Sequence, residues 1–180
     1  MFFRKKLDYD QLFAKYLDSD FVLFPVAENP PSKSDLTNFE KQFSISLPGE
    51  FRDLYNSRLG GVYIEVKETI WPRPKAYEAG PFWSFLYALH VYSFSADSPE
   101  WLNIHRQAEA FTKNVNPNYV PFLKIVGDAD VYCFDKSGSI FQWDHELDQF
   151  NKIEKSFNQL LEYEIAELKR RKGQKKAGKP

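Results

Sequence analysis

Two runs of strand-forming residues, Val131–Asp135 and Ser139–Trp143, flank the tripeptide Lys136-Ser137-Gly138. Aromatic and β-branched residues favour extended backbone, and a short link containing glycine joins such runs as an antiparallel hairpin. This hairpin commits the chain to an antiparallel sheet. The turn Gly127-Asp128-Ala129-Asp130 precedes it, and Tyr119–Val126 reads as a strand leading into that turn. Pro121 has no N–H to give a ladder, which predicts an edge or irregular position for that strand. Upstream, Val62, Ile64 and Val66 alternate with Tyr63, Glu65 and Lys67. Period two of this kind marks a half-buried strand. Leu86–Phe94 reads as another.

Helical patterns surround these strands. Leu7, Leu12, Phe13, Tyr16 and Leu17 predict a short amphipathic helix over residues 7–17, followed by an apolar run at Phe21–Phe24. The segment Glu28-Asn29-Pro30-Pro31-Ser32 breaks the chain. A helix from about Ser34 to Phe43 carries Leu36, Phe39 and Phe43 on one face, with Ser32 or Ser34 as its cap. Leu47-Pro48 opens the next helix, since proline suits the first helical position, and Phe51, Leu54 and Tyr55 are its buried stripe. Gly60-Gly61 ends it. Ser98-Pro99-Glu100 reads as a further helix start, with Trp101, Ile104, Ala108 and Phe111 on the apolar face. A last helix begins near Ser156 and buries Phe157, Leu160, Leu161, Ile165 and Leu168. Strands not regularly separated by crossover helices predict an α+β fold with an antiparallel sheet backed by several helices. At 180 residues, 43% of them hydrophobic, the chain fits one domain with a sizeable core.

The order and spacing of several short motifs resemble a known family. They are Phe39-Glu40, Leu47-Pro48-x-x-Phe51, Leu54-Tyr55 and Gly60-Gly61, then Gly127-Asp128-x-Asp130-Val131-Tyr132-x-Phe134-Asp135 and a strand ending near Asp144-His145. This pattern is similar to the SUKH superfamily, which takes in fungal cell-wall-synthesis regulators and many bacterial immunity proteins. The resemblance covers roughly residues 30–168. It implies a curved antiparallel sheet backed by helices, no cofactor, and action by protein binding rather than catalysis. Bacterial members are encoded beside polymorphic toxins that they bind and neutralise. Fungal members carry long low-complexity extensions, and the short tail here favours the bacterial reading, with a regulatory scaffold as the alternative. Two features depart from the pattern: the Trp- and Pro-rich segment 68–84 looks long, and residues 1–29 and 169–180 fall outside it. Residues 1–29 are expected to form a helical extension packed on the domain, and 169–180 a disordered basic tail.

Composition narrows the function classes. A single cysteine, Cys133, excludes an intrachain disulfide, a four-cysteine zinc site and a CxxC redox motif. Its apolar neighbours predict a buried, inert thiol. The start Met1-Phe2-Phe3-Arg4-Lys5-Lys6 lacks the apolar stretch of a signal peptide, and no run is long enough to span a bilayer, so a cytoplasmic location is expected. Residues 169–180 hold seven basic residues and no acid, leaving 17 basic against 25 acidic residues over residues 1–168, a net of −8. An acidic body favours basic partners and disfavours nucleic acid. An inhibitor of a nuclease toxin would suit it.

Two groups are candidates for partner binding. The aromatic loop offers Trp71, Tyr77, Phe82 and Trp83, residue types that dominate interface hot spots, although the same rings could instead close the core. The acids Asp128, Asp130, Asp144 and Glu146 are the second group. With Asp135 and His145 these acids have the residue types for a metal site or a hydrolase, but their spacing matches no metal motif. His90 and His105 carry no partner signature and read as structural.

Overall fold

The computed structural model describes residues 6–25, 31–57, 59–75 and 81–178. Along the chain run α1 (Tyr9–Tyr16), β1 (Phe21–Pro25), α2 (Lys33–Phe43), α3 (Gly49–Tyr55), β2 (Val62–Val66), a 3-10 turn (Phe82–Phe85), β3 (Ala88–Val91), α4 (Ile104–Asn114), β4 (Tyr119–Ile125), β5 (Val131–Asp135), β6 (Ile140–Asp144), β7 (Gln149–Lys152) and α5 (Phe157–Lys176). The fold is α+β, as the patterning predicts. The seven strands lie side by side in chain order, each antiparallel to the next. A meander of this kind sorts its connections by parity. Those joining β2 to β3, β4 to β5 and β6 to β7 emerge at one end of the sheet. The other three, two of them carrying helices, emerge at the opposite end.

Register places side chains in rows across the sheet. Phe24, Tyr63, His90, Lys124, Val131, Trp143 and Phe150 face one another strand by strand. On this face α4 packs Phe111 edge-on to Trp143, with centroids 5.3 Å apart. The other face carries Ile64, Leu89 and Leu123, all fully buried. There Phe51 of α3 meets Phe122, Phe134 and Phe157 edge-on at 5.8, 4.9 and 5.1 Å. The Tyr132 hydroxyl donates to Glu164 of α5 at 2.6 Å. Helices therefore cover both faces. Edge-to-face rings add attraction beyond their buried area, and this core is built largely from them.

The motif residues act as framework. Glu40 accepts a hydrogen bond from the Leu47 amide at 2.7 Å and pairs with Arg52, closing the link between α2 and α3. The Ser46 amide donates to the Lys136 carbonyl at 3.0 Å, so this link docks on the β5–β6 turn. At that contact Gly138 has φ +83°, and a Cβ there would lie 2.4 Å from the Ser46 carbonyl oxygen. Only glycine satisfies both the conformation and the space. Pro48 stands one residue earlier than expected, as the N-cap of α3. Gly60 and Gly61 adopt positive φ and turn the chain from α3 into β2, as expected.

Several elements differ from the sequence reading. The apolar run at Phe21 is the edge strand β1, and β7 carried no strand signal. The α4 helix starts at Ile104 with Asn103 as its cap, not at Ser98. Pro99 starts only a turn, and Ser93 donates its amide to Leu102 at 2.7 Å and accepts from the Ile104 amide at 2.8 Å, holding Asn103 extended between that turn and the helix. Pro121 meets the irregular one of its two expected placements: it lies in a central strand, at a register shift between Pro121 and Leu123. That irregularity excuses it from donating to the ladder.

The basic segment after residue 168 is helical through Lys176. It is tied to the N-terminal segment. Lys172 is buried and reaches Asp18 at 2.5 Å and Asp20 at 3.0 Å, while Lys176 reaches Asp20 at 2.7 Å. The α1 helix also rests on α5, through Tyr9 to Asn158 at 2.9 Å and through Lys15 and Tyr16 to Glu162 at 2.8 and 2.7 Å. Among the described residues no helix is long and apolar enough to cross a membrane.

Candidate partner-binding surface

Parity brings the two candidate groups together. The aromatic loop joins β2 to β3, the Asp128–Asp130 turn joins β4 to β5, and the Asp144–Asp148 turn joins β6 to β7. All three leave the same end of the sheet. The loop and the first turn also touch. Gly127 has φ +84°, and a Cβ there would come within 2.4 Å of the Phe85 side chain. Glycine at this point lets the 3-10 turn press directly on the acidic turn.

The aromatic loop is anchored from within. Trp71 is buried and its indole N–H donates to the Ser84 carbonyl at 3.0 Å. It is therefore not a surface anchor but a clip that closes the loop, because a buried indole N–H needs an acceptor. Arg73 adds a second clip. It donates to the Trp71 and Val66 carbonyls, each at 2.7 Å, pairs with Glu65 at 3.0 Å, and lies 3.8 Å over the Tyr87 ring. Held this way, the loop presents Phe82 and Trp83 to solvent, 56% and 49% exposed. Tyr77 lies outside the described residues.

The acids are organised by backbone amides. Asp128 accepts from the Asp130 amide at 3.0 Å. Asp130 accepts from the His145 amide at 3.0 Å and from the Gln142 side chain at 3.3 Å, which ties the two turns to each other. Asp144 accepts from the Leu147 amide at 2.9 Å. Glu146 is exposed, and so is Leu147 at 63%. Leu147 was missed in the sequence; an aliphatic side chain between Glu146 and Asp148 in a polar turn is the signal that marks it.

Behind the turns, Asp128, Asp130, Tyr132, Glu164, Glu167 and Arg171 line a depression of about 280 Å³. The α5 residues in it were not singled out from sequence. Burial raises the Asp128 carboxyl above its ordinary range, against the opposing hydrogen bond from the Asp130 amide. Burial likewise raises Glu164, against the opposing Tyr132 hydrogen bond. The Arg171 guanidinium is lowered by its own burial, and the nearby Glu164 and Glu167 charges counter that.

Among the described residues no three His, Cys, Asp or Glu side chains are placed to hold a metal ion. Asp130 and Asp144 are each spent on a different turn amide, and the His145 ring sits edge-on to Trp143. Cys133 is buried, and burial pushes its thiol well above the ordinary value, which leaves it unreactive. His105 packs edge-on to Phe39 and Phe94, and burial lowers its pKa.

No curated protein matches the chain significantly. The family described as SMI1 / KNR4 family (SUKH-1) matches residues 30–163, a span that holds α2 through the first turns of α5 and therefore the whole sheet except β1. With the motif residues forming the framework of that span, the chain belongs to the SMI1/KNR4 (SUKH-1) family.

Proposed function

We propose that this protein is an immunity protein that binds a cognate toxin and blocks it, with the loop-bearing end of the sheet as the contact surface. One observation carries the reading: exposed Phe82, Trp83 and Leu147 share that end with Asp128, Asp130, Asp144 and Glu146. Exposed aromatics ringed by charge are what a protein interface needs, anchors to desolvate and a rim to steer and orient. The acids Asp128, Asp130, Asp144 and Glu146 at that end favour a basic partner. A nuclease toxin fits, since its phosphate-binding groove is basic and an acidic surface can occupy it. Blocking of this kind requires no cofactor and no turnover. Rigid anchoring by Trp71 and Arg73 limits the ordering cost on binding.

Co-expression tests the proposal. A toxin domain encoded beside this protein's gene is expressed alone and together with the protein. Restored growth and a complex that survives gel filtration are expected. Continued toxicity with both proteins soluble refutes the immunity reading.

A further inference from the structure

A second concave site lies on the α4 face of the sheet. His90 forms its floor, and Tyr63, Tyr92 and Trp101 supply its walls, with Gln107 and Lys124 at the rim and a volume of about 390 Å³. Trp101 stands edge-on to both Tyr63 and His90 at 5.5 Å, yet remains 50% exposed. It sits in the turn that precedes α4 and is not part of that helix, so half of its ring stays open to solvent as a wall of the cleft.

His90 is the telling residue. It is 5% exposed, and neither ring nitrogen has a hydrogen-bond partner. Buried polar groups are normally satisfied, and an unsatisfied one calls for an explanation. Burial, aided by the Lys124 charge, pushes its pKa down to about 4, so the ring is neutral and offers one donor and one acceptor. Its directly opposed neighbour Lys124 makes no ion pair among the described residues.

We infer that this cleft binds a small planar anion, a flat ring bearing one carboxylate or phosphate. The aromatic walls take the ring by stacking, His90 and Gln107 bond its polar edge, and Lys124 pairs with the acid group. An organic cation would also suit aromatic walls, but the Lys124 charge repels it. The site goes beyond toxin binding and stands whether or not that reading holds.

The test titrates benzoate, indole-3-acetate and adenosine monophosphate into the full chain, with benzamide and adenosine as uncharged counterparts. Binding is read by tryptophan fluorescence, with Trp101→Phe to assign the signal. The carboxylates and the phosphate distinguish the two forms of anion. At least one anion is expected to saturate in the micromolar to low millimolar range, with its uncharged counterpart about tenfold weaker, the loss of one charge-assisted hydrogen bond. Lys124→Met is expected to weaken the anion to the level of the uncharged counterpart. His90→Leu is expected to abolish binding while keeping or raising Tm, because it removes two unsatisfied polar atoms. No saturable binding of any anion, equal binding of the uncharged counterparts, or unchanged binding in both variants overturns the inference.

Discussion

Gly138→Ala and Gly173→Ala are the same chemical change with opposite expected signs. Gly138 holds φ +83°, where an L side chain costs roughly 1–2 kcal/mol. The added methyl would also stand 2.4 Å from the Ser46 carbonyl. That carbonyl cannot easily retreat, because the Ser46 amide is bonded to Lys136 across the same contact at 3.0 Å. Moving it loosens the dock between the α2–α3 link and the hairpin, so the total cost is about 2–4 kcal/mol. Gly173 lies within α5, and nothing stands within 4 Å of an added Cβ. There alanine restricts the unfolded chain and favours helix, a gain of about 0.5–1 kcal/mol. Urea unfolding is the assay, with the midpoint shifting at constant m. In a chain of this length each kcal/mol moves Tm by roughly 2–4 °C. A Gly138→Ala protein within about 0.5 kcal/mol of wild type would refute the claim that Gly138 is framework, and a destabilised Gly173→Ala would refute the reasoning that separates the two sites.

Other expectations follow from single contacts. Lys172 depresses the Asp18 carboxyl by hydrogen bonding, and Lys176 and Lys172 do the same to Asp20. Groups with lowered folded pKa stabilise above their unfolded value and lose that contribution as pH falls through the folded value. The acid limb of a urea-midpoint profile below about pH 4 should therefore flatten in Lys172→Met. Cys133 should resist a thiol reagent in the folded protein and react only in step with unfolding; rapid labelling of native protein would contradict its burial. Trp71→Phe should cost about 1 kcal/mol by leaving the Ser84 carbonyl without its donor; an unchanged urea midpoint would deny its role as a clip.

Local pattern was enough for the elements whose signals are local. The hairpin at Val131–Trp143, the alternation in β2, a serine cap at Ser32 or Ser34 and a helix start near Ser156 could be read directly, because turn chemistry and periodicity act over a few residues. What escaped depends on distant partners. The edge strand β1 pairs with β2 across α2 and α3, and five residues without alternation carry no signature of that. Gln149–Lys152 holds a single apolar residue, Phe150, too few to show a period, and it is recognisable as a strand only by its pairing with β6. The α4 start follows from the pairing of Ser93 with Leu102 and Ile104, which the Ser98-Pro99 signal does not reveal. The basic segment at 169–176 looked like a tail until Asp18 and Asp20 supplied the opposite charge. Both candidate groups at the site were visible by residue type, while their meeting at one end was not. It follows from strand parity, and Trp71 was withdrawn from the surface by an acceptor thirteen residues away.

The central claim is that the loop-bearing end of the sheet is where a protein partner sits. The most direct measurement is the affinity of the proposed partner, a toxin domain that the co-expression test identifies, for a set of variants, by calorimetry. Phe82→Ala, Trp83→Ala, Glu146→Ala and Leu147→Ala change exposed side chains at that end, and Lys136→Ala is the control in the β5–β6 turn at the opposite end. The account predicts losses of about 1–3 kcal/mol for the two aromatic variants, smaller ones for Glu146→Ala and Leu147→Ala, and none for Lys136→Ala, all at unchanged Tm. Undiminished affinity in all four variants, or a loss confined to Lys136→Ala, would contradict it.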